Sequence, residues 1–446
     1  MSEFLIRNAD IADLDDLSTR TRDILIADGR FKKIAERIEL DECPGASVID
    51  AHNMLALPGF TDCHSHVYQT FIKGPLDDLV ITDWLVRLFK FEESMSDEDY
   101  YYATLLSCLS AMRFGTTTIN EMGGYEHLDA TLKAFEDAGI RTTFGISTTD
   151  VPENEVTPII SVDEAIRRSE EVYKKTHGRN NGLMRASVAP AGLPAVSGEM
   201  AKALKAWANE RGLIYHTHLG EGKMETERVA REYGLNGEAE ALEYLGILDE
   251  KTLLAHSIWL SDHELDIIAR TKAIPVHCPN TNMKISDGIP KIAQMLQRGI
   301  PVAMGCDGEA SSATKDMIRE GKAGSYLQKA ITLDPTVMDA GTTFKMMSIN
   351  GARALGYEDL GAIKEGYQAD LVLVNMEDDL SLTDRDHRIG NLLYAGTGHA
   401  VDTVFVAGSL KVRNKKIQNF DEGYIIRKCN DMIHELNVRT GYVKED

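Results

Sequence analysis

The sequence predicts an α/β protein: a (β/α)8 TIM barrel with a small composite β-sandwich domain drawn from both termini. Three observations carry that expectation. Between the ends, eight short apolar or β-branched runs alternate with longer amphipathic stretches, the signature of repeated βα units and a parallel sheet. The two ends instead share a style of short strand and tight turn. No glycine-rich phosphate turn follows an early strand, which removes the main reason to prefer an open doubly wound sheet.

Taken in order, FLIRNADI, DILIADGRFKKIA and SVIDAHNMLA read as strands at the N-terminus, the second carrying a DGR turn. At the C-terminus ADLVLVNM and DTVFVAGSLKVRNKKI repeat the pattern, with AGS as the turn. Neither end holds enough strands to close a stable sheet alone, so residues 1–57 and 364–446 are expected to form one β domain and 58–363 the barrel. The barrel strands are NMLALPGFTDC, TTTINE, RTTFGIS, LMRASVAP, GLIYHTH, TLLAHS, AIPVHC and PVAMGCD. Stretches such as DEDYYYATLLSCLSAMRFG and DHELDIIARTK supply helices between them, and EGYIIRKCNDMIHELNVR has helical spacing near the C-terminus. Eight units in roughly three hundred residues match a closed barrel.

Composition narrows the function classes. A chain of 446 residues, 43% hydrophobic, can bury a large core, and no run approaches the ~20 apolar residues of a membrane span. The first thirty residues lack a basic start and a continuous apolar centre, so a cytoplasmic protein is expected rather than a secreted one. Six scattered cysteines in a chain this large read as free thiols. A formal net charge of −22 repels phosphate backbones and acidic lipid surfaces. The expected partner is a small neutral or cationic molecule, neither nucleic acid nor membrane, and self-association stays open.

Strand periodicity turns residues i and i+2 to the same side, so His64 and His66 in GFTDCHSHVYQ can both face the barrel mouth. A lone HxH is a modest signal. Here YHTHLGE ends the fifth strand, LAHS the sixth and MGCDG the eighth, and each places an ionisable group at a strand's C-terminal end, where barrel enzymes carry their chemistry. His64, His66, His218 and Asp307 therefore form the expected ligand set for one divalent metal per chain. Imidazoles and a carboxylate without a thiolate cluster suit zinc first, with iron or manganese as alternatives. Such a metal can lower the pKa of water to about 7. Glu221, three residues beyond His218, is placed to lean over the site as a proton shuttle. His256 is placed to steady charge on the intermediate, and Asp307 to accept a proton as well as bind metal.

Other residues receive lesser roles. His216 shares the strand face of His218 but lacks its spacing to Glu221, and His277 ends the seventh strand; both are expected to shape the site without ligating. Cys63, Cys278 and Cys306 neighbour the ligands along their strands and should point away from the metal. His52, His127, His177, His263, His387, His399 and His434 sit in surface-like contexts.

Taken together, ALPGFTDCHSHVYQ, FGTTTINEM, YHTHLGE, LAHSIWLSDHE, HCPNTNMKISDGIPKIAQMLQRGIPVAMGCDGEASS and LGAIKEGYQADLVLV resemble the motifs of the amidohydrolase superfamily, in its metal-dependent deaminase and triazine hydrolase branch. The resemblance spans almost the whole chain and implies the same fold, ligands and roles. Many superfamily members carry two metals bridged by a carboxylated lysine at the fourth strand; here LMRASVAP has none, which implies a single metal. The implied reaction is hydrolytic deamination of an amino-substituted nitrogen heterocycle such as a purine, pterin, pyrimidine or triazine. Chloride displacement on a triazine is the alternative, and cyclic-amide hydrolysis or a non-catalytic binding role stand further off. Adenosine-type members carry a histidine after the fourth strand, where APAG places Ala191. Trp84 and Glu92 resemble pocket or ribose-binding positions, with the spacing between them one residue short, and Gln69 and Asn282 are candidate pocket amides.

Overall fold

The computed structural model describes residues 3–444, and they divide into two compact units. One comprises Met1–Asp62, Leu109–Thr118 and Lys315–Glu422; the other comprises Cys63–Cys108, Ile119–Thr314 and Gly423–Asp446.

In the first unit the N-terminal strands are β1 (Phe4–Ala12), β2 (Thr19–Ala27), β3 (Arg30–Ala35), β4 (Ser47–Asp50) and β5 (Met54–Pro58). The run expected as the first barrel strand breaks at Gly59, because β5 pairs with strands of both termini and β6 (Phe60–Ser65) heads a different, parallel sheet. β7 (Thr116–Gly123), β8 (Arg141–Ile146) and β9 (Met184–Ala186) continue that sheet, and β10 (Tyr215–Leu219), β11 (Thr252–His256), β12 (Ile274–His277) and β13 (Ala303–Met304) form another. The C-terminal strands are β14 (Leu371–Asn375), β15 (Val401–Val406), β16 (Ser409–Arg413) and β17 (Lys416–Ile417).

The terminal strands form one nine-stranded sheet in the order β17-β16-β15-β14-β5-β1-β2-β3, with β4 beside β1. Both sequence-predicted turns are two-residue hairpins with left-handed backbone, Asp28 and Gly29 at φ 53° and 76°, Ala407 and Gly408 at 45° and 72°, the geometry that matches strand twist. These two turns approach so closely that a Cβ on Gly408 would stand 2.7 Å from the Gly29 Cα. Ile6, Ile24, Ile26, Phe31, Leu371, Leu373 and Phe405 make the sheet's apolar core.

The parallel strands lie in two sets, β6-β7-β8-β9 and β10-β11-β12-β13. Every residue of β7 and β8 is buried, as expected where both faces of a parallel sheet are covered. Val188 bridges to Tyr215 beyond the end of β9, and the Asp307 amide, three residues past β13, donates to the His64 carbonyl at 2.7 Å. That approach needs Gly305, whose Cβ would stand 2.8 Å from the His64 nitrogen. The expected helices are present at Asp97–Arg113, Asp262–Thr271 and Glu422–Arg439. In the second unit the last of these meets the helix Asp97–Arg113 through Arg439 on Asp99 at 2.7 Å. Among the described residues no helix is long and apolar enough to cross a membrane.

Candidate metal centre

Four strand ends of the second unit converge on one cluster. His64 lies at the end of β6 and His66 just past it, His218 in β10, His256 at the end of β11, and Asp307 beyond β13. Candidate ligand atoms of His64, His66 and His218 lie within 4.8 Å of one another, as do those of His64, His256 and Asp307, and those of His218, Glu221 and His256. The Asp307 Oδ1 stands 3.4 Å from His64 Nε2 and 3.5 Å from His66 Nε2. Its Oδ2 is 3.9 Å from His256 Nε2, which is also 3.5 Å from the Glu221 carboxylate.

Backbone conformation aims these groups. His256 and Asp307 take left-handed φ values of 68° and 64°, a conformation that costs a residue with a Cβ about 1–3 kcal/mol and concentrates at functional sites. It turns each side chain out of its strand's alternation, so the strand period alone could not have located them.

The ring nitrogens facing away from the cluster are held by partners that fix each ring. His66 Nδ1 donates to the Met122 carbonyl at 2.7 Å and His218 Nδ1 to the Ala191 carbonyl at 2.5 Å, leaving Nε2 of both for a cation. His64 Nδ1 meets His216 Nε2 at 2.9 Å, and His216 Nδ1 meets the Asn120 amide at 3.0 Å. His256 Nδ1 donates to Asn282 Oδ1 at 2.9 Å. His216 thus shapes the site as expected, whereas Asn282, a candidate pocket amide, has its oxygen engaged on His256. Glu121, in the middle of buried β7, accepts from the Val67 amide at 3.1 Å with one oxygen and 3.2 Å with the other and so fixes the chain just after His66. An acidic residue inside the run TTTINEM was the available signal for it.

Electrostatics follow burial and charge. Burial holds His64 and His216 well below the usual imidazole range and brings His277 down to about 3, so these rings are neutral, the form that binds cations. Burial alone would raise Asp307, but His64, His66 and His256 outweigh it and hold the carboxyl well below its usual value. For His256 burial acts downward, and Glu221 and Asp307 overcome it to raise the ring. The chemistry of the donor set fits a divalent cation: three imidazoles, a carboxylate held ionised, and no thiolate among the clustered groups. Cys63, Cys278 and Cys306 are buried and form no disulfide among the described residues, and they belong to none of the ligand groups found there.

The remaining candidates lie around this cluster. Gln69 is buried beside Gly308, where an added Cβ would meet its Oε1. Trp84 and Glu92 lie on the helix Ile81–Ser94; Trp84 is buried, and half-buried Glu92 accepts from the Tyr68 hydroxyl at 2.5 Å. Burial pushes Glu92 up to about 7. Glu92 is linked to the cluster through Tyr68, two residues after His66.

Known proteins are similar to this chain over nearly all of its length. A 5-methylthioadenosine/S-adenosylhomocysteine deaminase of Carboxydothermus hydrogenoformans is 34% identical over 430 residues, 96% of each chain. A 5′-deoxyadenosine deaminase of Methanothermobacter thermautotrophicus is 32% identical over 424 residues, 95% of this chain and 96% of that one. The crystal structure of a zinc-bound adenosine deaminase from Xanthomonas campestris superposes with a TM-score of 0.87 at 25% identity, covering 97% of this chain and 99% of that one. Residues 55–411 match the model of the amidohydrolase family, and with relatives of this identity and coverage the chain belongs to that family.

Proposed function

We propose that this protein removes an amino group hydrolytically from a purine-type heterocycle, with adenine nucleosides modified at the 5′ position as the first substrates to test. The chain is a hydrolase of carbon–nitrogen bonds and a deaminase. The observation that carries the reading is Glu221, 3.5 Å from His256, on the rim of a cluster that otherwise consists of cation-binding groups. The relatives' names support the nucleoside class.

His64, His66, His218 and Asp307 would hold the metal, zinc foremost and one per chain. When bound, a divalent metal of this kind supplies Lewis acidity that brings the pKa of water to about 7. Glu221 carries a proton to the ring nitrogen next to the carbon under attack. His256, oriented by Asn282, presents Nε2 to the oxygen that adds to that carbon and stabilises its charge. Asp307 takes the second proton of water and returns it to the departing amine, so that a C–N bond breaks, a C=O bond forms, and water and the amine become the oxo product and ammonia.

The bridge at Val188 and the hydrogen bond from Asp307 to His64 support closure of β6–β13 into one barrel. Residues 58–363 then constitute the catalytic domain, and 1–57 with 364–446 a composite β-sandwich.

An ammonia-release screen of the zinc-loaded protein tests the reading against 5′-deoxyadenosine, methylthioadenosine, S-adenosylhomocysteine, free purines, pterins and a chlorotriazine. Ammonia from the adenine nucleosides is the expected result. Chloride from the triazine with no ammonia from any other compound would overturn it.

A further inference from the structure

Beyond the residues already assigned, one buried acid lies near enough to the same centre for Glu221, His256 and Asp307 to act on its charge. Asp287 lies in the loop after the helix Pro279–Lys284 and is 9% exposed. Its Oδ2 is buried without a hydrogen-bond partner among the described residues.

The loop is built to hold it there. The Trp259 indole donates to the Asp287 carbonyl at 2.8 Å, and the Asp287 amide donates to the Asn282 carbonyl at 3.0 Å. Asn282 is the residue whose side chain orients His256. On either side, Ser286 and Gly288 take φ values of 63° and 131°. A Cβ on Gly288 would stand 2.9 Å from both Ile258 and the Trp259 ring. The carboxyl is thus presented by a braced turn, tied twice to the elements that carry His256.

We propose that Asp287 determines specificity by accepting a hydrogen bond from an N–H donor on the substrate's ring edge, one other than the departing amine. This rests on the deaminase reading above and adds a preference within it: purines carrying a second amino group, such as 2,6-diaminopurine nucleosides, are held more tightly than adenine nucleosides, which lack one. The surroundings agree. Burial first, then Glu221, Asp307 and Glu225, raise Asp287 to about 8 against the lowering effect of His256. Glu153 is likewise raised by burial and by Glu221. A carboxyl among carboxylates gains most from a donor or cation, and an analogue without the donor leaves a buried acceptor unpaired. The protein's formal charge of −22 favours the same ligands.

Two deamination products that differ by one amino group read this directly without being consumed. Titration calorimetry of the zinc-loaded protein at pH 7 with guanosine and with inosine should show guanosine bound about 2- to 10-fold more tightly, the range of a hydrogen bond to an uncharged acceptor. Asp287→Ala should abolish the preference. Asp287→Asn, which keeps the shape but replaces one of the two oxygens with an NH2 donor, should shrink it and serves if the alanine variant does not fold. Equal binding of the two products by the unmodified protein, or an unchanged ratio in the folded variants, would overturn the proposal. Ammonia release from adenosine and 2,6-diaminopurine riboside is assayed in parallel. Its failure would sink the deaminase reading, while the binding ratio would still decide the role of Asp287.

Discussion

Buried polar groups are treated differently in the terminal sheet and at the strand ends of the metal centre. In the sheet, Asp23 is 1% exposed and accepts from the Arg7 guanidinium, the Asn8 amide and the Ile38 amide, each at 3.0 Å. Arg388 is likewise engaged by Asp10 and the Asn53 carbonyl. At the centre, His256 Nε2, Asn282 Nδ2, Asp287 Oδ2 and both nitrogens of His277 are buried without hydrogen-bond partners among the described residues. Each such group costs about 1–3 kcal/mol. Native proteins rarely keep them, and those that surround the proposed ligands are the ones available to reactants, whereas Arg413 Nη1 in β16 is a rare case in the sheet. The sheet's polar groups hold the fold; those of the centre are held by it.

The sharpest break of this comparison is loss of the metal. Chelation should take ammonia release to background, zinc should restore it, and metal analysis should return one ion per chain. Two tightly bound ions would contradict the single-metal assignment. Next in size is Glu221→Gln, expected to lower kcat by about 10²–10⁴-fold, the usual share of a proton-transfer group, with metal content and melting temperature unchanged. Normal turnover in that variant would remove Glu221 from its role.

How much of this was legible in the sequence depends on the distance over which each feature is determined. The ligand histidines could be read because HSH and HTH lie on strands whose period of two is local. The hairpin turns could be read because Asp28-Gly29 and Ala407-Gly408 supply the left-handed residues that such turns demand. The break at Gly59 could not: Leu57 pairs with Val372, more than three hundred residues away, and a continuous apolar run carries no mark of which sheet its halves join. That Asn282 spends its oxygen on His256 was hidden for the same reason. An amide after a strand motif reads as a pocket residue, and only the left-handed backbone of His256 brings that ring onto it. Asp287 and Glu238 gave no local signal, since an acid in a loop or an early helical turn is ordinarily solvated.

Removing the sheet's best-satisfied acid should affect stability alone. Asp23→Ala leaves the Arg7 guanidinium without its carboxylate and two buried amides without their acceptor. Breaking a buried pair in this way costs about 3–5 kcal/mol. Urea denaturation should show that loss, while kcat per folded molecule stays as in the parent protein. A fall in kcat with unchanged stability would blur the distinction between the two regions.

Glu238 stands between the two kinds of group and gives the smallest and most specific effect. One oxygen accepts from the Gly220 amide at 2.9 Å and the Thr226 hydroxyl at 3.3 Å, which ties down the turn between His218 and Glu221. Its other oxygen, Oε1, is buried without a partner among the described residues. Burial raises the carboxyl to about 7, against an unfolded value of about 4.3. Between those values the native state holds a proton that the unfolded chain has released. Stability therefore falls as pH rises through this window, by at most about 1.4 kcal/mol per pH unit from this group, and the contribution levels off above it. Glu238→Gln keeps an acceptor for Gly220 and Thr226 but cannot titrate, so urea midpoints measured from pH 5 to 8 should lose that part of their slope. Identical slopes in the two proteins would mean that Glu238 is already ionised in the native state, and its bond to Gly220 would then belong with the satisfied acids of the sheet.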